Sequence, residues 1–305
     1  MTPEPTAPET RAGFVAILGA PNVGKSTLLN RLVGTKVSIV SPKVQTTRRR
    51  IIGISMVDEA QILFVDTPGI FTARKRLERA MVQAAWAAAA DADLCLFLVD
   101  ARRGLDADSR TVLEGLETSR RAPILVVNKI DLVSHERLLP LVKSLNEALA
   151  FDATFLVSAE TGDGCPALLA AAAERLPAGP WLYPEDQLSD LSNRALAAEI
   201  TREKLFLQLH QELPYSITVE TEAWAEAPDG AEIRIDQVIY VQRPSQKGIV
   251  LGKGGRQIKS IGEAARLELE QILEARVHLF LFVKVRERWQ EDAERYGEMG
   301  LDFPD

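Results

Sequence analysis

The 305-residue chain is long enough for two domains, and its 46% hydrophobic and 26% charged residues are typical of a globular protein. A formal net charge of −7 argues against a generally basic nucleic-acid-binding protein, so any such function must come from a local patch. Two cysteines without a CxxC pattern and three scattered histidines argue against a zinc site or disulfide framework and favour a reducing, cytoplasmic location.

Residues 1–12 are rich in Pro, Thr and Glu and contain no apolar core. We therefore predict a disordered leader here rather than a signal peptide. The longest apolar runs, such as 94–99, are too short to cross a bilayer.

A glycine loop lies between an apolar run at 14–18 and a helical pattern at 28–33. This order of strand, loop and helix predicts a phosphate-binding P-loop, in which backbone N–H groups face phosphate oxygens. Lys25 can reach the β- and γ-phosphates, and the Ser26 hydroxyl can ligate Mg²⁺. The alternative is a Gly/Pro turn with an exposed lysine. The predicted nucleotide-binding residues are Gly19, Ala20, Pro21, Asn22, Val23, Gly24, Lys25, Ser26 and Thr27.

Short apolar strands alternate with helical segments as far as about residue 176. This pattern predicts an α/β P-loop domain whose mostly parallel six-stranded sheet carries helices on both faces. Only three residues separate the second and third strands, so that pair should be an antiparallel hairpin at one edge. The predicted strands are 14–18, 50–57, 61–66, 94–100, 123–128 and 153–157.

The sequence Asp66-Thr67-Pro68-Gly69 ends a strand about forty residues after the P-loop. A carboxylate in this position can hold Mg²⁺ through its water shell, and the Gly69 N–H can meet the γ-phosphate. Alone, the same four residues would be an ordinary turn.

Two later strand ends carry residues suited to a guanine base. In Asn128-Lys129-Ile130-Asp131, the Asp131 carboxylate can accept two N–H donors from guanine, while the Lys129 stem can cover the ring. Asn128 can bond guanine O6 or brace the P-loop. In Ser158-Ala159-Glu160, the Ala159 N–H could lie near O6.

These motifs, in this order and spacing, resemble a translation-factor-class GTPase. The run Gln45-Thr46-Thr47-Arg48-Arg49-Arg50 is similar to switch I of the Era family. The resemblance implies that one threonine closes over Mg²⁺ and the γ-phosphate; we favour Thr47, with Thr46 as the alternative. It also implies a metal site of Ser26, Thr47 and Asp66. The alternative for this stretch is a solvated basic loop.

A glutamine that orients water in Ras-like enzymes is absent, since Ile70 and Phe71 follow Gly69. Intrinsic hydrolysis should therefore be slow or assisted. Asparagine at the position of Asn22 is associated, among related GTPases, with hydrolysis assisted by K⁺. An equally weighted alternative is that Asn22 forms hydrogen bonds within its own loop and has no catalytic role. We predict catalytic roles for Lys25, Thr47, Gly69 and Asn22.

Beyond residue 177 the pattern changes. Residues 177–184 contain three prolines and predict a linker with some stiffness, which we place at 178–192. Within it, Tyr183-Pro184-Glu185-Asp186-Gln187 resembles the segment that joins the two domains in Era proteins. A helix at 193–213, strands at 216–225 and 231–241, two helices around Gly252-Lys253-Gly254-Gly255, and a strand at 277–285 then follow. This order resembles a bacterial (type II) KH domain, an α+β fold that binds RNA.

The glycine turn at 252–255 would let a nucleic-acid backbone approach closely, while helix N–H groups and Lys253 meet phosphates. Nine lysines and arginines against five acidic residues make 245–290 locally basic. The predicted RNA-binding residues are Ile249, Gly252, Lys253, Gly254, Gly255, Arg256, Ile258 and Lys259, with the two isoleucines as an apolar floor for bases.

The resemblance to Era implies a GTP-hydrolysing switch, using GTP/GDP and Mg²⁺, that binds the 3′ end of 16S rRNA during 30S ribosomal subunit assembly. It implies a cytoplasmic monomer, with peripheral association with the inner membrane surface. The expected divisions are a leader (1–12), GTPase domain (13–177), linker (178–192), KH domain (193–290) and tail (291–305), the tail being a short helix and loose chain. One alternative is a GTPase with a protein- or membrane-docking second domain in cell-cycle control; another is an RNA-binding module with vestigial nucleotide binding.

Overall fold

The computed structural model describes residues 10–73, 75–117, 122–210, 213–287, 289–291 and 293–303. These residues form two compact units, one of 10–37, 47–190 and 299–303, the other of 38–46 and 191–298. Residues 1–9 of the predicted leader (1–12) lie outside the described residues. Its predicted end at residue 12 is wrong, because the first strand already begins at Arg11.

The first unit is an α/β fold, and its elements agree closely with the predicted ones. Its strands are β1 (Arg11–Gly19), β2 (Ile51–Val57), β3 (Ala60–Asp66), β4 (Leu94–Asp100), β5 (Ile124–Asn128) and β6 (Ala153–Val157). Its helices are α1 (Lys25–Val33), α2 (Arg76–Asp91), α3 (Ala107–Leu116), α4 (His135–Ala148) and α5 (Cys165–Arg175).

Within the described chain these six strands form one sheet in the order β2-β3-β1-β4-β5-β6. β1, β3, β4, β5 and β6 run parallel, and β2 pairs with β3 antiparallel at the edge. The predicted edge hairpin is therefore confirmed.

The central strands β4 and β5 are apolar up to their last residue, as expected for strands with both faces buried. In β4, Leu96 and Leu98 enter a core that includes residues of α1 and α5. The alternate residues Phe97 and Val99 enter a second core formed with α2, α3 and α4. The prediction of helices on both faces is confirmed.

The proline-rich segment after α5 is packed against the sheet and is not a free connector. The buried Gln61 side chain accepts from the Leu182 and Tyr183 N–H groups and donates to the Tyr183 carbonyl oxygen. Farther on, Asp190 accepts from the Ile52 N–H at 2.9 Å, and residue 188 pairs with β2. This segment therefore covers the exposed edge of β2, and the first unit extends to residue 190 rather than 177.

The second unit contains α6 (Asn193–Gln208), β7 (Ile217–Glu226), β8 (Glu232–Val241), α7 (Pro244–Leu251), α8 (Arg256–Leu273) and β9 (Arg276–Val285). β8 pairs with β7 antiparallel and with β9 parallel. Ile261, Ala265 and Leu269 recur every four residues on α8 and are buried. This is the predicted α-β-β-α-α-β order, although α6 ends five residues earlier than predicted.

The C-terminal tail contains the expected short helix but departs from the loose chain expected after it. Helix α9 (Ala293–Glu298) contains the buried Tyr296, and Leu301 beyond it is also buried. The ring of Phe303 lies 4.9 Å from the Arg76 guanidinium carbon. Buried apolar side chains therefore hold the tail in place. The stretch is too short for these residues to show a helical or strand period in the sequence. No helix among the described residues is long and apolar enough to span a bilayer.

Candidate functional site

The predicted nucleotide-binding motifs meet at one edge of the first sheet. Residues 19–27 follow β1, 66–69 follow β3, 128–131 follow β5, and 158–160 follow β6. These strands are parallel, so their carboxyl ends share one edge, where open α/β sheets bind ligands.

The P-loop leads directly into α1, whose first residue is Lys25. The Lys25 side chain is buried, and its Nζ donates to the carbonyl oxygens of Gly19 at 3.1 Å and Ala20 at 3.0 Å. Burial lowers the pKa of Lys25 to about 8, against the opposing effect of the Asp66 carboxylate. A phosphate at this loop would favour the charged form, so the site is suited to an anion.

Three oxygen-bearing side chains converge beside the P-loop. Ser26 Oγ donates to Asp66 Oδ2 at 2.7 Å and lies 2.9 Å from Thr47 Oγ1, which is 3.3 Å from the same carboxylate oxygen. Hydroxyl and carboxylate oxygens are the ligands that Mg²⁺ prefers. The residues present therefore fit the implied metal.

The geometry favours Thr47 over Thr46 in this group. The Thr46 hydroxyl donates to the Lys43 carbonyl oxygen at 2.7 Å and contacts Ser41 Oγ at 2.6 Å. Thr47 and Arg48 are buried, with 8% and 2% exposure, so this stretch is not the fully solvated basic loop of the alternative.

Asn128 braces the P-loop. Its buried side chain donates through Nδ2 to the Val23 carbonyl oxygen at 2.9 Å and accepts from the Ala159 N–H at 3.0 Å. A Cβ on Gly24, whose φ is 101°, would lie 2.4 Å from Asn128 Nδ2. The glycine therefore permits both the loop conformation and this contact. The Ala159 N–H predicted to face guanine O6 is bonded to Asn128 in this structure.

The other motif residues divide between the core and the surface. Thr67 donates from its hydroxyl to the Ile17 carbonyl oxygen at 2.9 Å, and Ile70 is buried in the core beside α2. A Cβ on Gly69 would lie only 3.0 Å from Pro21 Cα, so this turn packs closely on the P-loop. Asp131 is exposed at the site's edge.

Sequence reasoning missed several polar residues that hold these loops. One is Asp100, whose Oδ2 accepts from Nζ of the predicted Lys129 at 2.8 Å; the same Nζ donates to the Asn22 carbonyl oxygen at 2.6 Å. Arg103 donates to the Pro21 carbonyl oxygen at 2.9 Å, and Arg31 donates to the carbonyl oxygens of residues 159 and 160. Asp100 could have been found, since it ends an apolar strand at the same sheet edge as Asp66 and Asn128.

Residues 38–46, which precede Thr47, pack within the second unit. The Val40 N–H donates to Glu203 Oε1 at 2.8 Å, and Arg202 donates to the Thr46 carbonyl oxygen at 2.6 Å. Lys43 donates to carbonyl oxygens at the end of α6, and Ile39 is buried against α6. This segment is therefore ordered by long-range contacts.

The predicted RNA-binding residues surround the turn between α7 and α8. Gly252, Gly254 and Gly255 have φ values of 70°, 62° and 76°, which favour glycine. A Cβ on Gly254 or Gly255 would meet no atom within 4 Å, so both face open space, whereas one on Gly252 would lie 2.6 Å from Gln257 Cβ. The turn is thus an accessible backbone surface at the start of α8.

Basic and apolar side chains flank this turn. Lys253, Arg256 and Lys259 are exposed, and Ile249 is 56% exposed. Ile258 is half-buried and packs against the core, so it offers less apolar surface than predicted. A cavity of about 310 Å³ adjoins the turn, lined by Gln208, Leu209, His210, Leu213, Gln246, Ile249 and Gln257.

Two family models match the chain, one in each unit. Residues 14–129 match the family described as 50S ribosome-binding GTPase, and residues 212–290 match the KH domain. The first match spans the P-loop and the strands up to β5, and the second spans the glycine turn.

Curated relatives match almost the whole chain. The GTPase Era of Sinorhizobium medicae is 62% identical, covering 97% of this chain and 95% of the relative. The GTPase Era of Agrobacterium fabrum is 60% identical over 100% of this chain and 96% of the relative.

Two solved structures resemble the whole fold. An Aquifex aeolicus Era variant bound to GDP and aluminium fluoride has a TM-score of 0.90, with 39% identity over 95% of this chain and 99% of that one. Era in complex with MgGDPNP and nucleotides 1506–1542 of 16S ribosomal RNA has a TM-score of 0.89, with 39% identity and the same coverage.

The sequence identity to these relatives extends over both units. The P-loop (19–27) follows β1, the guanine motif (128–131) follows β5, and the glycine turn (252–255) joins α7 to α8. The chain therefore belongs to the Era family and is a GTPase with a KH domain.

Proposed function

We propose that this GTPase is a molecular switch that binds the 3′-end region of 16S rRNA and acts in 30S subunit assembly. The observation that carries the proposal is the accessible, basic glycine turn at 252–255, joined in one chain to a complete P-loop. The solved relative that holds MgGDPNP and 16S rRNA nucleotides 1506–1542 supports it.

At the nucleotide, Lys25 and the P-loop N–H groups would stabilise charge on the phosphates. Ser26 and Thr47 would hold Mg²⁺, and Asp66 would support its water shell. The 2.7–3.3 Å contacts among these three side chains support that assignment. When bound, Mg²⁺ neutralises charge that develops between the β- and γ-phosphates.

Guanine recognition would depend on Asp131, with the Lys129 stem over the ring. Two N–H donors on guanine meet the exposed carboxylate, whereas adenine presents no such pair. Asn128 would act mainly by bracing the P-loop, since its amide already bonds Val23 and Ala159.

At the RNA, the open turn at Gly254 and Gly255 would admit the sugar-phosphate backbone, and Lys253, Arg256 and Lys259 would add phosphate contacts. The exposed Ile249 beside the 310 Å³ cavity would receive an unstacked base. The test is whether the chain binds a 16S 3′-end RNA more tightly in the GDPNP state than in the GDP state.

We also infer that K⁺ assists hydrolysis through the Asn22 side-chain oxygen. Asn22 is exposed in the P-loop with φ at 62°, while Ile70 is buried in the core and carries no polar atom for orienting water. A cation there would offset negative charge in the transition state. Turnover should be about tenfold faster in K⁺ than in Na⁺ at equal ionic strength, equivalent to ~1.4 kcal/mol of barrier.

The gain should vanish in Asn22→Ala without loss of GTP affinity, because the hydrogen bond from Lys129 to the main-chain carbonyl oxygen of residue 22 remains. Asn22→Gly is the matched control for backbone strain, since glycine accepts the positive φ. Equal rates of phosphate release by the parent in the two salts, with and without RNA, would refute the K⁺ role.

A further inference from the structure

Asp100 is a buried carboxylate to which the sequence assigned no role. It is the last residue of β4, is 1% exposed, and pairs in register with Asn128 on β5. The next N–H, that of Ala101, donates to the Asn128 carbonyl oxygen at 2.8 Å. Asp100 is therefore fixed to the same strand that presents the guanine motif.

The carboxylate lies at the centre of a set of charge-assisted hydrogen bonds. Oδ2 accepts from Lys129 Nζ at 2.8 Å and from Arg102 at 3.2 Å, and Oδ1 accepts from the Arg102 N–H at 2.9 Å. Burial alone would raise the pKa of Asp100, but hydrogen bonds from Arg102 and Lys129 lower it below its ordinary value. The group is therefore a carboxylate at neutral pH.

Through Lys129 this carboxylate is linked to the P-loop. Lys129 Nζ also donates to the Asn22 carbonyl oxygen at 2.6 Å, so one ammonium group joins the end of β4 to the phosphate loop. Both ends of the lysine side chain are thereby fixed, at its backbone in the guanine motif and at its ammonium group. A lysine has four rotatable bonds, and fixing them beforehand removes an entropic cost from ligand binding.

We propose that Asp100 is a positioning residue for guanine nucleotides, which holds Lys129 extended across the base site and clamped to the P-loop. This rests on the proposed role of Lys129 over the guanine ring. Asp100 itself would make no contact with the nucleotide. It acts by giving the lysine ammonium a charged partner in addition to the neutral Asn22 carbonyl oxygen.

The test measures the release rate of a fluorescent GDP analogue and GTPase kinetics for the full chain and five variants. They are Asp100→Ala, Asp100→Asn, Lys129→Ala, the double variant Asp100→Ala/Lys129→Ala, and Arg102→Ala. The last is the matched control, because Arg102 donates to the same carboxylate from a half-exposed position, and its described hydrogen bonds reach neither Lys129 nor the P-loop; its charge also interacts with Asp131, so nucleotide selectivity is measured for this variant too. Thermal unfolding of each variant checks folding.

We expect Asp100→Ala to release GDP roughly 10- to 100-fold faster and to raise KM for GTP without lowering kcat. The GDP release rate of Asp100→Asn should lie between those of the parent and Asp100→Ala, because the amide oxygen can still accept from Lys129. If the alanine variant unfolds, Asp100→Asn provides the test. The double variant should lose no more than Lys129→Ala alone, and Arg102→Ala should stay within about threefold of the parent.

The possible outcomes distinguish the role of Asp100 from the proposed role of Lys129 over the guanine ring. Parent-like release in Lys129→Ala would remove the proposed role of that lysine. Fast release in Lys129→Ala with parent-like release in Asp100→Asn and Asp100→Ala would overturn the inference alone. Additive losses in the double variant, or a fall in kcat equal to the fall in kcat/KM, would also overturn it.

Discussion

Asp131→Asn should weaken GTP binding by about 10³-fold and give the protein a preference for XTP. The carboxylate accepts two N–H donors from guanine, and each charge-assisted bond contributes roughly 1.5–3 kcal/mol. Asparagine faces the same edge with an NH₂ donor, which leaves a guanine N–H without an acceptor. Xanthine presents a carbonyl oxygen there, so the amide can donate to it.

The measurement is competition by unlabelled GTP and XTP against a fluorescent nucleotide on the parent and the variant. Asp131 is exposed, so the substitution should leave thermal unfolding unchanged. Glu114→Gln, which neutralises another exposed carboxylate on α3, is the matched control and should keep the parent's preference for GTP. Tight GTP binding by Asp131→Asn, with XTP ignored, would show that this carboxylate does not read the base.

Gly254→Asp/Gly255→Asp should reduce RNA affinity at least about 100-fold while GTP binding stays unchanged. Both positions face open space, so the added carboxylates would project where the RNA phosphates are expected. Repulsion of the phosphates, lost access to the backbone and reduced local positive charge would all lower the RNA affinity. Positive φ values add a backbone cost of about 1–2 kcal/mol per residue, which must be separated from the effect of charge.

The double asparagine variant supplies that separation. Asparagine has nearly the shape of aspartate and tolerates positive φ, but it carries no charge. In RNA titrations at several salt concentrations it should lose less than about tenfold, and the parent's affinity should fall steeply with salt. Equal RNA affinity in the folded aspartate and asparagine variants would place the phosphate contacts elsewhere.

The features predicted from sequence are those encoded by local pattern. Fully apolar strands such as 94–99 indicate a sheet buried on both faces, and the P-loop indicates which end of that sheet binds phosphate. Both follow from residues close together in the chain. Strand boundaries and the later helix boundaries then differed by only one or two residues, except at the start of β1, which begins three residues earlier than predicted, and at the end of α6.

The features that were missed depend on contacts between distant residues. Gln61 binds the backbone of 182–183, and Asp100 binds Lys129, across separations that no periodic pattern encodes. The chain at 178–190 reads as a linker because prolines and polar residues carry no helical or strand period. Its placement is fixed by hydrogen bonds to the edge strand β2, which the sequence does not reveal.

The central claim is that one chain couples a guanine-nucleotide switch to 16S rRNA. The most direct measurement is a titration of fluorescent RNA spanning 16S nucleotides 1506–1542 with the full chain loaded with GDPNP or with GDP. A scrambled RNA of equal length and a 23S fragment serve as controls, the latter because the matching GTPase family is described as 50S ribosome-binding. The account predicts tight binding of the 16S RNA in the GDPNP state, at least tenfold weaker binding in the GDP state, and weak binding of both controls. Equal affinity for all three RNAs, or no dependence on the bound nucleotide, would contradict it.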